Sequence, residues 1–172
     1  DGPNRKYTPY VLDCLKEFDV QATFFVVGKD VAKNPKLAKR IKEEGHDIGN
    51  HTFSHPVSPI LKYIDIEKEI TKTEDLVYKI TGKKPRLFRP TWLTWDVYAF
   101  RMHKVARKLG YCSMRWSTSS LDWLGSRRIV KRQLIDSNLN DREVILFHDG
   151  AQKAFISKRK ATVELLPIFL SK

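Results

Sequence analysis

Cysteine is nearly absent: two residues in 172, Cys14 and Cys112, exclude a disulfide-built scaffold. A bridge between them would close a very long loop, so both are read as buried thiols, with a disulfide the lesser alternative. Long apolar runs are missing too. None approaches the roughly 20 residues that cross a bilayer, and no secretory-type leader opens the chain, although a leader could have been removed. Repeats, linkers and low-complexity tracts are not found. Acidic residues are in short supply: 20 Asp and Glu stand against 32 Lys and Arg, a net charge of +12 and a pI near 9.7. Such a field attracts anionic polymers, whether nucleic acid, anionic lipid or acidic wall polysaccharide. The positive charges are scattered through 33–42, 68–84, 101–108, 127–132 and 153–160, the pattern of solvated helix faces. No RNP-type aromatic box or paired metal-finger spacing accompanies them, so nucleic-acid binding is the weaker alternative and is not expected.

What is present suits a single domain over residues 1–172: 41% hydrophobic and 30% charged residues, with a mean hydropathy of −0.43. Strand-like and helix-like segments alternate. Ala22 to Val27 is a buried strand, and Asn34-Pro35 opens a helix over 36–44 that stops at Gly45. His46 to Asn50 is the next strand. Ile66, Ile70, Thr73, Val77 and Ile80 step by four and three, predicting a helix over 65–81 that Gly82 ends. Then come a strand at Pro85–Phe88, a helix carrying Tyr98, Met102, Val105 and Leu109, a strand at Tyr111–Trp116, a helix at Ser126–Leu139, a strand at Glu143–Phe147 and a helix at Thr162–Leu170. This order predicts an α/β fold with parallel strands, either doubly wound or a barrel. Asp1-Gly2-Pro3 has no strand before it and the last helix has none after it, so the first and last strands of a barrel are expected to be missing from the sequence, trimmed at both ends.

In parallel βα folds the loops at the carboxyl ends of the strands open on one face. Arg89, Asp122 with Trp123, and His148 with Asp149 each follow a strand, as do His51 and His55, and Asp1 stands where one would end. His51 and His55, four apart, reach one ion if they share a helical turn. Such pairs also occur by chance on solvated turns, and both readings stay open; His46 and His103 read as structural. Taken singly, Asp1 is a turn residue, Arg89 a surface arginine, Asp122-Trp123 a loop acid beside a half-buried indole, His148 a turn residue and Leu146 core.

Together they resemble a family. His51-Thr-Phe-Ser-His55 is similar to the metal-binding motif of polysaccharide deacetylases of the NodB type, carbohydrate esterase family 4. Asp1-Gly2-Pro3 resembles the tail of that family's opening Thr-Phe-Asp-Asp-Gly-Pro motif. Phe88-Arg89-Pro90, Leu121-Asp122-Trp123 and Ile145-Leu146-Phe147-His148-Asp149 resemble its three later motifs. The five fall in the family's order across residues 1–149.

The resemblance implies a distorted or incomplete (β/α) barrel and removal of acetyl groups from an N- or O-acetylated sugar polymer, peptidoglycan or a chitin-type chain, outside the cell or at its wall. It implies one divalent metal held by Asp1, His51 and His55, usually zinc, with cobalt or nickel as substitutes. His148 would be the general acid, Asp122 would orient it, and Arg89 would partner the catalytic carboxylate. Leu146 and Trp123 would line the acetyl slot, and the backbone N–H of Trp92 would face the oxyanion.

Three departures qualify this. The family's base is the first aspartate of its Asp-Asp pair and the sequence begins with the second; a protein without it would lose about 10²- to 10⁴-fold in activity. Arg89 is followed by Pro90-Thr91-Trp92-Leu93 where the family has Pro-Pro-Tyr-Gly, and Ser119 stands where an acid is common. A non-catalytic wall-binding homologue is therefore the alternative to the enzyme.

Overall fold

The computed structural model describes residues 1–56, 63–92, 97–140, 142–150 and 159–172; Leu93 and Lys153 lie outside the described residues. In chain order the elements are α1 (Thr8–Glu17), β1 (Thr23–Val26), α2 (Gly28–Lys33), α3 (Pro35–Glu43), β2 (Asp47–Asn50), α4 (Ile66–Thr81), β3 (Leu87–Phe88), α5 (Val97–Lys108), β4 (Cys112–Ser113), β5 (Thr118–Ser119), α6 (Arg127–Val130), β6 (Ile145–Leu146) and α7 (Lys160–Leu170). A 3-10 turn spans Asp122–Leu124 and a π-helical turn Lys131–Ile135. The chain divides into two compact units, one of Asp1–Ala22 with Arg115–Lys172, the other of Thr23–Met114.

The Thr23–Met114 unit is built on a parallel sheet in the order β1-β2-β3-β4. Thr23 pairs with Asp47 and Val26 with Asn50, Asn50 with Phe88, and Phe88 with Ser113. Phe24, Phe25 and Val26 are all buried, so β1 reads as an unbroken apolar run, as strands covered on both faces do. The four-and-three stripe of α4 is buried at Ile66, Ile70, Thr73 and Val77. Ile66 and Ile70 pack with Phe88, Met102, Ala106 and Tyr111. Asp65 caps α4 by accepting from the Lys68 N–H at 3.0 Å, and Gly82 ends it at φ 71°. Asn34 makes no such cap for α3; its side-chain amide donates to the Asp30 carbonyl at 3.0 Å instead, closing the short α2.

In the other unit β5 pairs parallel with β6, Thr118 with Ile145 and Ser119 with Leu146. Val130, Leu134, Ala161 and Leu165 form its core, with Ile145, Phe147 and Phe169 packed against them. The α1 helix packs on α7.

Several expectations are corrected. The strand read as Tyr111–Trp116 is a strand only at Cys112–Ser113, and β5 follows beyond it in the other sheet, because the backbone changes partner: the Met114 N–H donates to Phe88, the Ser117 N–H to Val144. The helix read as Ser126–Leu139 is α-helical only to Val130, where the wider π turn takes over. Both cysteines are free thiols, but only Cys14 is buried. Cys112, the first residue of β4, is exposed because it follows the inward Tyr111 and side chains alternate along extended backbone. No helix among the described residues is long and apolar enough to cross a membrane.

Candidate active site

In the Thr23–Met114 unit the site is built where β2 ends. The His51 N–H continues the ladder onto the Val26 carbonyl at 3.0 Å, and the chain then leaves the strand. Residues 51–56 form no helical turn, contrary to the condition set for the two imidazoles. Left-handed backbone at Thr52 (φ 69°) and His55 (φ 52°) instead folds the loop back, at a cost of order 1–3 kcal/mol each for residues other than glycine. The rings meet all the same, centroids 4.9 Å apart and edge to face.

His51 is buried, and its Nδ1 lies 2.7 Å from the Arg89 carbonyl. A carbonyl only accepts, so Nδ1 carries the proton and Nε2 keeps the lone pair. Burial, with the neighbouring His55 and Arg89 charges, holds the ring well below its ordinary pKa and therefore neutral, as a metal ligand must be. The Trp92 ring sits against His55 at 5.4 Å. The Thr91 hydroxyl donates to the Pro56 carbonyl at 3.0 Å, tying the arginine loop to the histidine loop.

Arg89 contributes to the site through its backbone as well. Its guanidinium lies over the Phe25 ring, 3.9 Å from the centroid, and burial pushes its pKa down to about 10. What it gives His51 is its main-chain carbonyl, a contribution independent of side-chain type. Asn50, not singled out from the sequence, anchors the strand end: its side chain donates to the Ile70 carbonyl at 2.9 Å and to the Tyr111 hydroxyl at 3.2 Å, and accepts from the Thr52 N–H at 3.0 Å. Tyr111 in turn donates to Glu74 at 2.7 Å, and burial with that bond pushes its phenol up.

In the other unit Asp122 is fully buried at the start of the 3-10 turn, after Leu121 in left-handed backbone (φ 56°). Its Oδ1 lies 2.7 Å from Nδ1 of His148. Its Oδ2 accepts the His148 backbone N–H at 2.7 Å and the Thr162 hydroxyl at 2.5 Å. Burial alone would push this carboxyl up, yet the bonds and charge of His148, joined by Thr162, hold it below its ordinary value. The carboxylate fixes a His148 proton on Nδ1, so that in the neutral ring Nε2 carries the lone pair. Trp123 is exposed, and Leu146 is buried within β6.

Asp1 belongs to this same unit. A Cβ on Gly150 would stand 2.8 Å from the Asp1 carbonyl oxygen and 2.7 Å from the Gly2 nitrogen, and one on Gly2 (φ 114°) would stand 2.6 Å from the Asp149 carboxylate. Only glycine fits either place, so Asp1 is pinned beside the residues that follow His148. Asp149 accepts from the Thr8 hydroxyl at 2.6 Å, and burial pushes its pKa up. Arg159, whose pKa burial lowers against the pull of Asp122 and Asp149, donates to the Gly150 carbonyl at 2.6 Å. The structure thus gathers Asp1, Asp122 and His148 in one unit and His51, His55, Arg89 and Trp92 in the other.

The family model for polysaccharide deacetylases matches residues 1–114. The chain belongs to the polysaccharide deacetylase family. A peptidoglycan-N-acetylglucosamine deacetylase of Bacillus cereus is 37% identical over 148 residues, 86% of this chain and 53% of the relative. A peptidoglycan-N-acetylmuramic acid deacetylase, PdaA of Bacillus subtilis, is 41% identical over 137 residues, 79% of this chain and 51% of the relative. The chain spans about half the length of these two. Among solved structures, a polysaccharide deacetylase from Bacillus cereus superposes with a TM-score of 0.83 at 29% identity, covering 99% of this chain and 82% of that one. The parallel α/β arrangement is the NodB-like fold of that deacetylase family.

Proposed function

We propose that the protein is a metal-dependent hydrolase that removes acetyl groups from an N-acetylated wall polysaccharide, with peptidoglycan favoured over chitin-type chains by the names of its relatives. It would act outside the cell or at the wall, where a net charge of +12 suits an anionic polymer. Asp1, His51 and His55 would hold one divalent ion, zinc first, with cobalt or nickel able to replace it. The donor chemistry fits: a neutral imidazole whose Nδ1 is committed to a carbonyl offers Nε2, beside a second imidazole. Such an ion supplies Lewis-acid polarisation of the acetyl carbonyl and acidifies water at the site.

The observation that carries the reading is the Asp122–His148 pair. A carboxylate with three hydrogen bonds cannot rotate away, so it keeps Nδ1 of the imidazole engaged and reserves Nε2 for the substrate. In its doubly protonated form His148 donates the Nε2 proton to the departing amine as the acyl C–N bond breaks, leaving the neutral Nδ1–H ring that Asp122 holds. Arg89 partners the catalytic carboxylate, which the family carries immediately ahead of Asp1. The Trp92 N–H faces the oxyanion, and Leu146 and Trp123 bound the acetyl methyl.

Acetate release from peptidoglycan, chitin oligomers and acetylxylan tests the assignment, in a chain extended upstream of Asp1 by the family's first aspartate. His148→Ala should keep its zinc and lose about 10²- to 10⁴-fold in turnover. Turnover at the wild-type level would remove His148 from the mechanism.

A further inference from the structure

Between His51 and His55 the chain adopts a conformation with no helical or strand ladder of its own, yet every backbone N–H in it has an acceptor. His51 uses the Val26 carbonyl, Thr52 the Asn50 side chain and His55 the Thr52 hydroxyl, the last at 3.1 Å. The two in the middle, Phe53 and Ser54, both donate to one carboxylate oxygen, Oε2 of Glu69, at 3.0 and 2.7 Å. The other oxygen, Oε1, accepts from the Ser54 hydroxyl at 2.9 Å. On the opposite side the Phe53 carbonyl accepts from the Lys29 N–H at 2.9 Å and the Thr52 carbonyl from the Gly28 N–H at 3.0 Å. The loop is therefore gripped between the start of α2 and the first turn of α4.

An acid in the first turn of a helix ordinarily complements the helix dipole. Glu67 and Glu69 both occupy that turn, but Glu67 is exposed, whereas Glu69 is half-buried next to the buried Ile70. Glu69 turns away from solvent and spends all three of these bonds on the segment that joins the two imidazoles.

We propose that Glu69 is the positioning residue of the histidine loop: its carboxylate replaces the missing ladder for Phe53 and Ser54 and so sets the spacing of His51 and His55 for a shared ion. This rests on the metal reading above. Removal of the carboxylate leaves two adjacent N–H groups without their acceptor in a loop already holding two left-handed residues. The loop should relax, and the imidazoles should separate before the fold is lost.

Zinc titration of the full chain, followed calorimetrically, together with amide hydrogen exchange without metal, tests this. Glu69→Ala should weaken zinc binding about 10- to 100-fold, the usual consequence of losing support behind a ligand, and should speed exchange at Phe53 and Ser54 selectively. Glu69→Gln keeps an oxygen for the two N–H groups and should restore both readouts. Leu134→Ala, in the core of the other unit, should lower thermal stability without moving either. Wild-type affinity and exchange in Glu69→Ala would overturn the inference, as would a Glu69→Gln variant as damaged as Glu69→Ala, since charge rather than placement would then be at work. If the wild-type chain takes up no zinc, the metal reading fails, and the exchange at Phe53 and Ser54 still decides whether Glu69 holds the loop.

Discussion

Asp122 shows how much one buried carboxylate can control. Burial opposes its charge, and three hydrogen bonds from His148 and Thr162 overcome that opposition, so its folded pKa lies below the ordinary carboxylate value. A group depressed in this way contributes stability above its unfolded pKa, about 3.9, and that contribution is lost as pH falls through the folded value. Asp122→Asn places an amide N–H₂ against groups that themselves donate. The variant should be about 1–3 kcal/mol less stable at pH 7, and the gap should narrow as pH falls below 4. Chemical denaturation at pH 7 and pH 3 checks this; a gap independent of pH would show that the carboxylate's charge contributes nothing. His148 was legible in the sequence because it follows the apolar run Val144–Phe147, and His51 because His55 stands four residues on. The supporting contacts were not: the Arg89 carbonyl that holds His51 and the Thr162 hydroxyl at a helix start that holds Asp122 leave no compositional mark.

At the scale of elements, α4 does two jobs. Its buried stripe anchors the sheet through Ile70, and the adjoining Glu69 faces the histidine loop. Ile70→Ala should cost about 2–5 kcal/mol, the range for truncating a fully buried aliphatic side chain, measured by urea unfolding; a loss below the size of a surface substitution would mean that α4 is not the anchor. Periodicity revealed α4 to within a residue at each end because Asp65 and Gly82 punctuate it. It failed where geometry depends on partners distant in sequence. Strand β5 exists because Thr118 and Ser119 pair with Ile145 and Leu146, and α1 was overlooked because its apolar positions, Val11, Leu12 and Leu15, span little more than one turn. From spacing alone, the two imidazoles reach one ion only if they share a helical turn. Left-handed backbone at Thr52 and His55, which side chains alone do not announce, brings them together instead.

For the molecule as a whole, five motifs in family order, the match of the family model and the parallel α/β fold agree on membership of the polysaccharide deacetylase family. The candidate site residues are divided along the chain: the Asp122–His148 pair belongs to Asp1–Ala22 with Arg115–Lys172, and the imidazole pair to Thr23–Met114. A metal-dependent deacetylase needs both, whereas a wall-binding homologue needs neither to turn over. The most direct measurement is acetate released from peptidoglycan by the chain extended upstream of Asp1, assayed as purified, after chelation, and after zinc is returned. Release that stops with chelator and recovers with zinc is the predicted result. Release that persists undiminished in chelator, or none under any of the three conditions, would contradict metal-dependent deacetylation.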